Sequence, residues 1–191
     1  MRWDALFDDM EAQFAAGDRL ELESEVSERA RVDAASIDLA DRLRGSLGRR
    51  IGVHLASGST FEGTLSHAGA DALVLNEELH QVLIPYASAA RYVGLGRFSI
   101  GEPSQVRRTL GLARELRGLA RDRSGLTVLL ARGSAGEAAF TGVIDRVGRD
   151  FFDLAMTQPG EVRRSGNVSQ ISTVPFGALA ALRSLRSGDL Q

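Results

Sequence analysis

Ile51-Gly52-Val53-His54-Leu55-Ala56-Ser57-Gly58-Ser59-Thr60-Phe61-Glu62-Gly63-Thr64-Leu65 is the stretch on which the fold turns. Ile51, Val53 and Leu55 alternate with Gly52 and His54. Ser57-Gly58-Ser59 reverses the chain, and Phe61, Gly63 and Leu65 then alternate with Glu62 and Thr64. A period of two on both sides of a Gly/Ser turn is the pattern of a half-buried β-hairpin. Further strands are predicted at Asp71–Asn76, His80–Ile84 and Ala89–Val93. Five short strands with brief turns predict a small antiparallel barrel or a strongly bent sheet.

The same unit occurs twice, first over Ile51–Val93 and again over Leu126–Leu182. Phe61-Glu62-Gly63 aligns with Phe140-Thr141-Gly142, Gly69-Ala70-Asp71 with Gly148-Arg149-Asp150, and Leu75 with Leu154, all at an offset of 79. Ile84-Pro85-Tyr86 aligns with Val174-Pro175-Phe176 at an offset of 90, because the second copy has a longer loop around Pro159–Asn167. Similarity in one order over this length marks an internal repeat. Gly63 and Gly142 fall in mid-strand, where glycine weakens pairing, so their recurrence predicts a sharp bend that leaves no room for a Cβ.

Helical periodicity frames the strands. Trp3, Leu6, Phe7, Met10 and Phe14 form one apolar stripe, Gly17 can close that helix and Asp18 can cap the next. A longer helix carries Val26, Ala30, Ile37, Ala40, Leu43 and Leu47 on one side and ends at Gly48, giving a helical hairpin. Between the copies, Pro103 suits a helix start and Ser104–Arg121 has helical spacing, with Val106, Leu110, Ala113, Leu116 and Ala120 on its apolar face. Leu43-Arg44-Gly45 and Leu116-Arg117-Gly118 occupy similar places in the two helices. The expected domains are an acidic hairpin over 1–47, a first barrel over 48–101, a linking basic helix over 102–124 and a second barrel over 125–191.

Composition narrows the function classes. All 23 basic residues are arginine, which with abundant Ala and Gly reads as GC-rich coding. Residues 1–41 carry a net charge of −8 and residues 42–191 a net charge of +6, an acidic arm on a basic body. No apolar run reaches the ~20 residues of a membrane-spanning helix, and acids at Asp4, Asp8, Asp9 and Glu11 interrupt any signal-like segment. The chain has no cysteine, hence no disulfide and no thiolate chemistry. Together these predict a cytoplasmic protein without a membrane partner.

Val53-x-Leu55, Gly58, Phe61-x-Gly63, Gly69-x-Asp71, Leu73-x-Leu75 and Val82-x-Ile84, repeated as Val128-x-Leu130, Gly133, Phe140-x-Gly142, Gly148-x-Asp150, Phe152-x-Leu154 and Val174, resemble the Sm-like family, which includes the Sm proteins and bacterial Hfq. The resemblance covers about two thirds of the chain. It implies an α+β fold: the N-terminal helical hairpin followed by two tandem Sm-like five-stranded antiparallel β-barrels, each preceded by a helix. It also implies ring formation and single-stranded RNA as ligand. The chain departs from the family at the turns after the fourth strands, where Pro85-Tyr86-Ala87 and Pro175-Phe176-Gly177 replace the RNA-contacting residues.

Arg107, Arg114, Arg117 and Arg121 fall within about one quadrant of the predicted linking helix and suit a phosphate backbone. They also suit a solvated face or pairing with the acidic arm of the same or another chain. Tyr86 and Phe176 either stack bases or close the barrel ends. His54, His67 and His80 are regularly spaced but lie on separate strands or turns without counterparts in the second copy, so no metal is expected. Asp145, Asp150 and Asp153 surround one turn and read as solvated acids. Neither a lysine-bearing phosphate loop nor a Gly-x-Ser-x-Gly or His-Glu-x-x-His motif is present. The expectation is a non-enzyme without cofactor that binds nucleic acid, RNA first. The alternative is an interaction module that captures a protein partner or a second copy through Trp3, Leu6, Phe7, Met10 and Phe14.

Overall fold

The computed structural model describes residues 22, 24–29, 31–32, 34–131, 137–156 and 170–185, with Arg107 and Leu185 described by backbone alone. The chain divides into two compact units, Met1–Asp38 and Leu39–Gln191. In the first, residues 24–29, 31–32 and 34–35 are helical, and Leu22, Val26 and Val32 are exposed. The predicted first helix, with its Trp3–Phe14 stripe, lies outside the described residues.

The second unit opens with α1 (Leu39–Arg44) and continues through β1 (Arg50–Leu55), β2 (Thr60–Ala68), β3 (Ala72–Asn76), β4 (His80–Pro85), a 3-10 turn at Tyr86–Ser88 and β5 (Ala89–Val93). After α2 (Gln105–Arg108) and α3 (Leu112–Asp122) come β6 (Leu126–Ala131), β7 (Glu137–Val147), β8 (Phe151–Met156), β9 (Gln170–Pro175), a 3-10 turn at Phe176–Ala178 and β10 (Leu179–Leu185). Along β2 burial alternates from Thr60 to Leu65, as expected where one face is covered.

All ten strands belong to one antiparallel sheet in the order β5-β1-β2-β3-β4-β10-β6-β7-β8-β9. This corrects the expected helical hairpin followed by two separate five-stranded barrels. Among the described residues the sheet is open, its end strands are β5 and β9, and three short helices accompany it. The reason lies at β4. Its outer edge pairs with β10, with Leu83 opposite Leu182 and Val82 opposite Arg183, so backbone groups at the middle of the sheet are satisfied across the repeat boundary. The expected hairpin is interrupted too, because the helix predicted to run through to Leu47 breaks at residues 36–38 before α1 begins.

Within this sheet the two halves use the same local devices. Each has a bulge at one position of its second strand, between Leu65 and His67 and between Ile144 and Arg146. Gly69 N–H donates to Ala72 O and Gly148 N–H to Phe151 O, both at 2.8 Å. Tyr86 N–H likewise bonds Asp71 O, and Phe176 N–H bonds Asp150 O. Gly63 pairs with Ile51 and Gly142 with Leu126. A Cβ at Gly63 would lie 2.6 Å from Asn76 O, and one at Gly142 would lie 2.4 Å from Ala155 O. Close backbone approach therefore requires glycine at both places.

Two cores flank the junction and exchange residues across it. The first is built on Leu43, Val53, Leu65, Leu73, Leu75 and Ile84 but includes Ala180 and Ala181 from β10. The second is built on Leu116, Val128, Ile144, Phe152 and Leu154 but includes Ala72 and Leu83 from the first half. Ser88 Oγ donates to Ala180 O at 2.8 Å, and Arg183 pairs with Glu77, so polar contacts also cross the boundary.

Candidate nucleic-acid interface

The linking segment is not the single helix predicted over Ser104–Arg121. It forms α2 and α3, separated at Thr109–Gly111. Gly111 is extended, and the first amide of α3, Leu112 N–H, donates to Asp71 Oδ1 at 2.7 Å. An acceptor 41 residues earlier in the chain thus caps the new helix, and the carboxylate also suits the positive end of its dipole. Leu112 and Leu116 are buried in the second core, which seats the helix against the sheet. Arg123, at a φ of 50°, ends it in a left-handed conformation.

This arrangement brings Arg114, Arg117 and Arg121 together on one exposed flank of α3 and leaves Arg107 on α2, outside their row. The predicted four-residue stripe is therefore a three-residue row. Arg117 Nη2 donates to Gly148 O at 3.2 Å, which holds its guanidinium beside the β7–β8 turn. Among the described residues none of the three forms an ion pair with a carboxylate. Beside Arg114 lies a cleft of about 370 Å³ whose lining includes Arg44, Leu47, His67, Leu110 and Glu115. Arg44 is engaged there by Asp41 and by Ile100 O, and His67 Nε2 is 3.7 Å from Glu115 Oε1. Among the described residues, Arg114 is the arginine of this cleft that makes no ion pair.

Tyr86 and Phe176 do not join the row. Tyr86 is half-buried against the first core and its hydroxyl donates to Gly69 O at 2.9 Å. Burial, with Tyr92 nearby, pushes the Tyr86 pKa well above the ordinary tyrosine value. Phe176 packs on the second core, its ring centroid 6.5 Å from that of Phe152. Each ring packs on the core of its own half of the sheet.

The other polar candidates have local partners. His54 contacts Thr60 and Arg91, and His80 lies at the start of β4. Asp153 is buried, accepts a 2.7 Å bond from Thr173 Oγ1 and pairs with Arg146. The Thr173 bond first and Arg146 next hold its carboxyl below the ordinary range, against the opposing effect of burial. Among the described residues no group of three or more histidines and acids could hold a metal ion. No described helix is long and apolar enough to cross a membrane.

Sequence reasoning missed Asp71 as a helix cap and Glu137 as a clasp. Ser59 Oγ donates to Glu137 Oε2 at 2.9 Å and Ser57 bonds the same carboxylate, tying the first hairpin turn to β7. Asp71 did carry a signal, since it recurs as Asp150, but only the fold shows what it caps. No protein-family model matches the chain, and no curated protein matches it.

Proposed function

We propose that the protein is a non-catalytic nucleic-acid-binding protein whose contact surface is the Arg114–Arg117–Arg121 flank of α3. The observation that carries this reading is the exposed guanidinium row itself, presented by a helix anchored at both its N-terminal cap and its apolar face. Planar donors in a row match successive phosphates, and such contacts give affinity without base readout. Single-stranded RNA is the ligand to test first, following the sequence resemblance to Sm-like proteins, and a cytoplasmic setting fits that ligand.

The experiment is RNA binding by fluorescence anisotropy across a range of salt concentrations. Each phosphate contact to a single strand adds about 0.7 to the slope of log affinity against log salt. The triple variant Arg114→Gln, Arg117→Gln, Arg121→Gln should therefore lose about two units of slope together with most of its affinity. An unchanged slope in the triple variant would remove this surface from consideration.

A second reading, a protein-interaction module centred on the N-terminal unit, has its own observation. Leu22, Val26 and Val32 of that unit are 59–62% exposed. Deleting residues 1–38 should abolish partner capture or self-association under this reading and leave RNA affinity unchanged.

A further inference from the structure

A cavity of about 210 Å³ lies between α3 and the sheet, where the two repeats join. Its helical side is one stripe of α3, formed by Glu115, Gly118, Leu119 and Asp122 at the spacing of neighbours on a single helix face. Its sheet side brings Val74 and Leu83 from the first half together with Leu126 and Leu182 from the second. Gln81 and Ser184 add two neutral polar groups. Apolar walls with a few placed polar groups are the make-up of a small-molecule site. None of Arg114, Arg117 and Arg121 lines it.

Charge selects the ligand. Glu115 and Asp122 are the charged residues of the lining, both negative, in a body whose residues 42–191 carry a net charge of +6. Among the described residues no arginine pairs with either carboxylate, and Glu115 has His67 Nε2 at 3.7 Å. Two turns of helix separate the acids, about 10.5 Å along the axis, with Gly118 and Leu119 between them. The order is carboxylate, apolar floor, carboxylate. A chain of methylenes with an ammonium at each end complements it, hydrocarbon against the Val and Leu walls and a cation at each acid. We propose that this cavity binds a linear aliphatic polyamine of spermidine's length, its terminal ammonium groups on Glu115 and Asp122. Gln81, whose amide nitrogen donates to Asn76 Oδ1 at 3.1 Å, offers its carbonyl oxygen to the internal ammonium.

Gly118 supports an occupied cavity. Inside a helix glycine is less favourable than alanine. Packing against the described residues does not require it, because a Cβ there would meet no atom within 4 Å. At its repeat counterpart, Gly45, a Cβ would lie 2.2 Å from Phe98 O, so backbone of the same chain fills that place. The first repeat covers its glycine with Phe98 and Ser99, and the described residues of the second leave room for a ligand. A large side chain at position 118 would take that room from the methylenes.

The test uses the full chain without nucleic acid, so its outcome is independent of the RNA reading. At about 0.15 M salt, attraction to exposed acids is largely screened. Isothermal titration with spermidine should show one saturable site, and amide resonances of Val74, Leu83, Gly118 and Ser184 should shift. Putrescine, too short to reach both carboxylates, should bind about tenfold more weakly, and Glu115→Gln and Asp122→Asn should each weaken spermidine by a similar factor. Glu62→Gln, an exposed acid outside the cavity, should bind as the parent does. Gly118→Leu keeps a strong helix former at its position and should abolish binding while circular dichroism shows the fold intact. Absence of saturable binding by the full chain would overturn the proposal, and so would binding that appears only once residues 186–191 are removed, since the chain itself would then fill the cavity. Putrescine binding as tightly as spermidine, or a folded Gly118→Leu variant binding like the parent, would overturn it too.

Discussion

Replacing Gly63 with alanine puts the close strand approach at the centre of the first repeat under direct test. The added Cβ would sit 2.6 Å from Asn76 O, 3.0 Å from Asn76 C and 3.3 Å from Leu75 Cβ. Two of these atoms are backbone, so no rotamer change relieves the contact. Ordinary carbon-to-oxygen contacts begin near ~3.3 Å, so the β2–β3 ladder must open by about 0.7 Å or bend its bond angles. Overpacking of this kind costs about 1–3 kcal/mol. For a chain of this size each kcal/mol lowers the melting temperature by about 2–4 °C, so a loss of about 2–12 °C is expected. Gly142→Ala, with its Cβ 2.4 Å from Ala155 O, should cost at least as much. Gly118→Ala is the control. It meets no atom within 4 Å and lies inside α3, so it should stabilise the helix by about 0.5–1 kcal/mol. Thermal unfolding followed by circular dichroism reads all three. A Gly63→Ala variant that melts within about a degree of the parent would refute the argument from close approach.

Asp71→Ala removes the acceptor for Leu112 N–H and should cost about 1 kcal/mol in urea unfolding, as loss of a helix cap does; Asp150→Ala, whose residue caps no described helix, should cost less. Asp153 has a lowered folded pKa, so its contribution is present above the unfolded value of about 3.8 and lost as pH falls through the folded value. Asp153→Asn should accordingly lower stability near neutral pH and flatten the acid side of the stability curve, and an acid limb as steep as the parent's would contradict the assigned role. Leu116→Ala empties a fully buried site and should cost about 2–5 kcal/mol by chemical denaturation.

The first repeat was legible because its strands are half-buried, and half-burial writes a period of two into the sequence. The observed strands β1–β5 begin and end within three residues of the expected ones, and Phe61, Gly63 and Leu65 lie on one face as read. The joining of the repeats was not legible. The β4–β10 ladder is made of backbone groups, and buried Val82, Leu83 and Leu182 serve a closed barrel or a shared sheet equally well. The break between α2 and α3 was hidden for a related reason, because the cap that starts α3 comes from Asp71, far away in sequence. Of the candidate site, Arg114, Arg117 and Arg121 follow from helical spacing alone, since all three lie on one unbroken helix. The break sets Arg107 on a separate helix, and the packing of Tyr86 and Phe176 on the two cores is not recorded in a turn sequence.

The shared sheet is the claim on which the account of the fold and of the candidate interface depends, and cross-strand nuclear Overhauser contacts measure it most directly. Leu83 should show backbone contacts to Leu182, and Val82 to Arg183. If β10 instead shows contacts to β6 alone, with β4 amides exchanging as an open edge, the single ten-stranded sheet is contradicted.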